Sequence, residues 1–139
     1  MESIAVIFWS GTGNTATMAQ EVGAGTGGQA KLINVTDTNA DEAAAYDKLA
    51  LGCPSMGDEV LEEDEMEPFF TALEGKISGK KVVLFGSYDW GDGQWMRDWA
   101  ERTKKAGAIL AADPLIVNLS PDADGKAKCR ELGKALADA

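Results

Sequence analysis

The hexapeptide Ser10-Gly11-Thr12-Gly13-Asn14-Thr15 gathers four short side chains able to donate hydrogen bonds around two glycines. Glycine permits a tight turn and lets backbone N–H groups approach a ligand closely. The residues that follow read as a helix, so the loop opens on a helix N-terminus. Unpaired N–H groups and a partial positive charge attract an anion there. No Lys or Arg precedes Lys31, so a phosphate held here rests on neutral donors. Three readings fit the loop: a mononucleotide phosphate site, a dinucleotide fingerprint, or a hydroxyl-rich helix cap. The fingerprint reading uses Gly11, Gly13 and Ala16, with Asp37 near the spacing of a ribose-binding acid. A cap would need only one or two of the four side chains. A nucleoside-triphosphate P-loop is excluded, because the loop has no Gly-Lys-[Ser/Thr].

The elements that must position this loop alternate in type. Ile4 to Trp9 is a nearly continuous apolar run, as in a strand covered on both faces. Thr15 to Gly25 reads as a helix with Met18, Ala19 and Val22 on one face. Lys31 to Val35 is a second strand, followed by an acidic, alanine-rich linker to about Asp47. Lys48 to Cys53 is a third strand. Glu63 to Leu73 is a helix with Met66, Phe69, Phe70 and Leu73 spaced i, i+3, i+4, i+7. Lys81 to Gly86 is the fourth strand. Gln94 to Ala106 is a helix closed by lysines and Gly107. Ile109 to Val117 is the last strand, bent or interrupted at Pro114. Asp122 to Leu136 closes the chain as a helix with Cys129, Leu132, Gly133 and Leu136 inward.

Strands alternating with helices imply right-handed crossovers and a doubly wound, five-stranded parallel α/β sheet with helices on both faces. Ligands of such sheets lie beyond the carboxyl ends of the strands, where the strand order switches. That rule points to three loops: Ser10 to Thr15, Pro54 to Glu59, and Ser87 to Gly93.

A chain of 139 residues is the size of a single domain, here 1–139. No apolar run approaches the roughly 18 residues of a membrane span, and the first residues lack a basic region followed by an apolar stretch. The expected location is the cytoplasm, with Cys53 and Cys129 reduced. The chain has no histidine and no CxxC, which argues against a zinc or copper site. The net charge of −10 disfavours nucleic acid and anionic membrane, and favours basic protein partners. Seven acids and no base lie between Asp58 and Glu67: Asp58, Glu59, Glu62, Glu63, Asp64, Glu65 and Glu67.

Ser10 to Thr15, Met56-Gly57-Asp58-Glu59 and Ser87-Tyr88-Asp89-Trp90-Gly91-Asp92-Gly93 together resemble the short-chain flavodoxins of anaerobic bacteria. Glu67-Pro68-Phe69-Phe70, Phe85-Gly86-Ser87-Tyr88 and Trp95-Met96-Arg97-Asp98 extend the likeness, and the long insertion of the long-chain group is missing. The resemblance implies a flavodoxin-like fold and non-covalent FMN. The first loop would hold the phosphate, and the other two would clamp the isoalloxazine ring. Met56 and Trp90 are then the two faces of the clamp, since a flat ring needs apolar or aromatic matter on each side. Glu59 could accept from the ring N3–H, and the backbone of Gly57 to Glu59 and of Ser87 to Gly91 could address its polar edges. Trp95 and Trp9 either border the ligand or pack in the core. Pro54 stands where some relatives carry a phosphate-binding serine, which leaves that task to Ser55 or to no residue. Asp89 stands where the family usually has glycine, and faces either the ring or solvent.

The implied function is that of a low-potential one-electron carrier cycling between semiquinone and hydroquinone, a monomer serving redox proteins with basic patches. It is not an enzyme. The chain shows no nucleophile with an adjacent base, so the redox chemistry would be the cofactor's. The resemblance further implies that the Gly57–Asp58 peptide rotates to offer its carbonyl when flavin N5 gains a proton. A flavin-dependent NAD(P)H:quinone-type oxidoreductase is the alternative. A nicotinamide enzyme would leave Met56 and Trp90 without a role. A phosphoacceptor receiver domain would need acids after the first and third strands, which Trp9 to Gly11 and Cys53 to Ser55 do not supply.

Overall fold

In the computed structural model, which describes residues 3–139, the apolar run at the start becomes strand β1, Ile4–Phe8. Its side chains alternate between two cores. Ala5 and Ile7 enter one, while Ile4 and Val6 enter the other. Strands β2 (Ala30–Asn34), β3 (Lys48–Gly52) and β4 (Lys81–Tyr88) join it in the order β2-β1-β3-β4, all parallel. The chain first winds outward to β2 and then resumes on the other side of β1. The switch in order therefore falls between β1 and β3, where such sheets bind ligands.

The last strand is split, as Pro114 suggested. β5 (Ile109–Leu110) and β6 (Leu115–Asn118) both pair with β4. Leu110 lies opposite Val82 and Leu115 opposite Phe85, so five steps on one chain span three on the other. The two extra residues bulge outward at Pro114, which has no N–H for the ladder. The sheet has five strand positions built from six segments.

Helices α1 (Asn14–Gly25) and α5 (Ala123–Asp138) cover one face. Met18, Ala19 and Val22 pack there with Cys129, Leu132 and Leu136, the stripes read from the sequence. A Cβ on Gly133 would lie 1.9 Å from the Val22 carbonyl oxygen, so only glycine allows the helices to come this close. The other face carries α2 (Ala40–Ala44), α3 (Met66–Leu73) and α4 (Gln94–Lys105). Phe70, Leu73, Trp95 and Trp99 are buried there, and each such side chain contributes about 1.5–3 kcal/mol. Trp99 meets Phe70 edge to face, with ring centroids 5.7 Å apart.

Of the boundaries that differ from the sequence reading, two have a clear local cause. The stretch before Asp47 is not a plain linker. It holds a 3-10 turn at Val35–Asp37 and the short helix α2, capped where Asn39 Oδ1 accepts from the Glu42 N–H at 2.9 Å. Five residues are too few for periodicity to show, and Ala40 and Ala43 hold the helix through burial. Helix α3 begins at Met66, not Glu63, because the Glu62 carboxylate takes the N–H groups of Asp64, Glu65 and Met66 at 2.8–2.9 Å. That carboxylate satisfies donors that would otherwise be orphaned at the start of the helix.

Candidate functional site

The three loops converge at the carboxyl ends of β1, β3 and β4 around a cleft of about 230 Å³. Gly11, Thr12 and Asn14 form its wall from the first loop. Pro54, Ser55 and Met56 come from the second, and Ser87, Tyr88 and Asp89 from the third. Trp9 and Leu119 complete it. Depressions of about 400 Å³ beside α4 and about 310 Å³ along β2 are larger, but neither is built on the loop that opens α1.

In the first loop Gly13 has φ 99° and turns the chain into α1 without a side-chain cap of its own. The Ser10 hydroxyl fills that role, accepting from the N–H groups of Gly13 and Ala16, each at 3.1 Å. The Ser10 proton is left to be donated elsewhere. Among the described residues, the N–H groups of Asn14 and Thr15 find no acceptor, so the helix dipole and two donors stay open to an anion. Thr15 is buried and its hydroxyl lies 3.1 Å from that of Ser87. Ser87, read as part of a ring loop, therefore has its side chain beside the loop that opens α1.

The second loop is a short hairpin. Met56 and Val60 exchange both backbone hydrogen bonds at 2.9 Å, closing a turn over Gly57, Asp58 and Glu59. Gly57 has φ 52°, a left-handed conformation that glycine takes without strain. Glu59 has φ 56° and pays for it with its carboxylate. One oxygen accepts from Gly93 and Gln94 N–H at 3.1 and 3.0 Å, capping α4 from a distance and tying the second loop to the third.

Gly57 and Asp58 are exposed at the turn, and Asp89, Trp90 and Gly91 in the third loop are exposed too. Trp90 is 56% exposed and stands outside the cleft wall, while Asp89 lines it. Tyr88 ends β4 with its ring 5.8 Å from that of Trp95. The carbonyl oxygen of Tyr88 receives the Leu119 N–H at 2.7 Å and Asn118 Nδ2 at 3.1 Å.

The two undecided tryptophans separate. Trp9 lines the cleft, whereas Trp95 is buried and donates to the Cys53 carbonyl at 3.1 Å. Leu119 was missed. It follows the last strand at its carboxyl end, so the rule that located the other loops could have found it.

The acidic run is not one solvated face. Glu59 caps α4 and buried Glu62 caps α3. Glu67 pairs with Arg102 through both of its oxygens, at 2.7 and 2.9 Å. Those hydrogen bonds hold the Glu67 carboxyl below the ordinary carboxylate range. Asp58, Glu63, Asp64 and Glu65 are the members left exposed.

Cys53 and Cys129 lie in cores on opposite faces of the sheet. Burial pushes the Cys53 thiol up to about 12 and Cys129 up to about 11, so neither is a thiolate at neutral pH. Among the described residues, no three His, Cys, Asp or Glu are placed to hold a metal ion, and no helix is long and apolar enough to cross a membrane.

A parallel α/β sheet with an anion-ready loop at its switch point and an aromatic, thioether-lined cleft beside it defines a protein of the flavodoxin-like class. The family model described as Flavodoxin matches residues 6–133. The flavodoxin of Clostridium beijerinckii is 51% identical over 136 residues, covering 96% of this chain and 98% of that one. The flavodoxin of Megasphaera elsdenii is 47% identical over 139 residues, covering 98% and 99%. The solution structure of two-electron reduced Megasphaera elsdenii flavodoxin superposes with a TM-score of 0.88 at 45% identity, covering 98% of this chain and 99% of that one. The chain belongs to the flavodoxin family. It is an FMN-binding electron carrier with redox proteins as partners, and not an enzyme.

Proposed function

We propose that this single domain holds FMN in the cleft between the three loops and exposes one edge of it to partner proteins. The observation that carries this reading is the convergence of an uncharged, donor-rich loop with Met56, Tyr88 and Ser87 on one cleft. FMN, when bound, supplies the chemistry of accepting and releasing single electrons. The phosphate end is formed by Ser10, Gly11, Thr12, Gly13, Asn14 and Thr15, with Ser87 beside Thr15. Pro54 offers no N–H, so it shapes the wall while Ser55 keeps a hydroxyl to donate. Its N–H is already given to the Ser87 carbonyl at 3.0 Å.

At the ring end Met56 supplies one apolar face, and exposed Trp90 is the outer lid. Gly57 and Asp58 form a turn able to reorient its peptide. Glu59 orients Gly91 and its neighbours by holding Gly93 and Gln94. Asp89 adds negative charge to the wall. An anionic wall without a facing base makes addition of a second electron harder, because the added charge meets like charge in a partly desolvated place.

The exposed acids Asp58, Glu63, Asp64 and Glu65 lie in the turn of the second loop and in the segment that leads from it into α3, which suits partners with basic patches. The chain acts as a monomer, and its two buried, unpaired thiols support a reducing location such as the cytoplasm. The test compares FMN with riboflavin, which lacks the phosphate. The unmodified protein binds FMN more tightly than riboflavin by a factor of at least about 100, worth about 2.8 kcal/mol. Thr12→Val narrows that ratio by weakening FMN alone. Equal affinity for the two ligands would remove the phosphate loop from the site.

A further inference from the structure

Two non-glycine residues among those described have left-handed backbone, and one of them lines this cleft. They are Glu59, whose carboxylate accounts for its position, and Leu119 at φ 58°. A bulky side chain in this region is strained, and glycine or asparagine would relieve it. The Leu119 N–H donates to the Tyr88 carbonyl at 2.7 Å, beside the Asn118 amide at 3.1 Å. The preceding peptide aims that N–H, and after it the left-handed conformation only turns the chain away from β6. Glycine would make the same turn with less strain, so the turn does not explain leucine.

The side chain also gains little from the protein. Leu119 is 53% exposed, one of five large apolar residues left in solvent among those described, and it lines the cleft together with Trp9, Met56 and Tyr88. Strain kept without compensation inside the protein fits a side chain whose partner is the ligand.

We propose that Leu119 is a positioning residue for FMN: its isobutyl group closes the apolar wall of the cleft against the cofactor and keeps water from it. The proposal rests on the cleft being the FMN site. Covering the exposed half of a leucine on binding tightens FMN by about fivefold, or about 1 kcal/mol at 1.4 kcal/mol per decade.

The experiment measures FMN release from the holoprotein by flavin fluorescence on dilution, for Leu119→Gly, Leu119→Asn and Leu119→Met. Gly and Asn suit a left-handed backbone but lack the apolar group, so both raise the dissociation constant about fivefold, while Met stays within about twofold of the parent. A turn residue would behave in the opposite way, with Gly and Asn holding FMN as tightly as Leu or more so, and that result overturns the proposal. Met56→Ala, measured alongside, separates the two levels. If Met56→Ala weakens FMN while Leu119→Gly does not, only the role of Leu119 falls. If neither changes, the cleft assignment falls with it.

Discussion

Glu62 and Glu63 are adjacent acids in one charged run, yet replacing each with glutamine should have different consequences. Both changes remove one negative charge from a chain of net charge −10, so relief of general repulsion is nearly equal. Glu63 is exposed. Glu62 is 5% exposed, and its two oxygens hold three N–H groups at the start of α3. Glutamine keeps one oxygen but turns an NH₂ toward at least one of those donors. A hydrogen bond to a charged acceptor contributes about 1.5–3 kcal/mol, and the bonds at one carboxylate are not additive. Glu62→Gln should therefore destabilise by about 2–3 kcal/mol, whereas Glu63→Gln should stay within about 0.5 kcal/mol. For 139 residues the unfolding entropy is about 0.3 kcal/mol/K, so the expected drop in Tm is about 7–10 °C against less than about 2 °C. Thermal unfolding by circular dichroism is the assay, run on the apoprotein so that FMN linkage does not enter. In 1 M salt, where the Debye length is about 3 Å, the effect at Glu63 should vanish and that at Glu62 persist. Equal shifts for the two variants would refute the capping argument.

Trp90→Ala should weaken FMN binding and make the second one-electron potential less negative, since an aromatic lid excludes water and disfavours added negative charge; potentiometric titration with unchanged values would remove Trp90 from the site. Gly57→Thr strains the left-handed turn by about 1–2 kcal/mol and should raise the FMN dissociation constant about fivefold or more, read by fluorescence titration; an unchanged constant means the turn is not engaged. Replacing Glu63, Asp64 and Glu65 together by their amides should flatten the salt dependence of electron transfer to a basic haem protein while leaving FMN affinity within about twofold. Stopped-flow rates of the parent that ignore ionic strength would contradict steering. The Glu67–Arg102 pair lowers the Glu67 pKa, so its stabilisation is present above the ordinary carboxylate value and lost as pH falls through the folded one. The stability difference between the parent and Glu67→Gln should be full at pH 7 and shrink below about pH 4.3; a difference independent of pH would exclude the pair as its source.

Much of this protein is legible along the chain, because the features concerned are local. The apolar run of β1, the i, i+3, i+4 stripe of α3, the glycines of the 10–15 loop and the break at Pro114 each declare themselves within a few residues. With the rule that ligands gather at the carboxyl ends of a doubly wound sheet, those patterns led to three loops that do meet at one cleft. Partner choice is not local, and only the tertiary structure decided it. Glu59 reaches Gly93 across 34 residues and Glu67 reaches Arg102 across 35. Ser87 meets Thr15 across 72. A carboxylate reads the same in sequence whether it faces water, a helix N-terminus or a guanidinium, so the division of the acidic run into caps, an ion pair and exposed charges appeared only in three dimensions. Leu119 shows the same limit. Its type announces an apolar contact, but its left-handed backbone and its place on the cleft wall follow from how β6 ends against Tyr88 on the neighbouring strand.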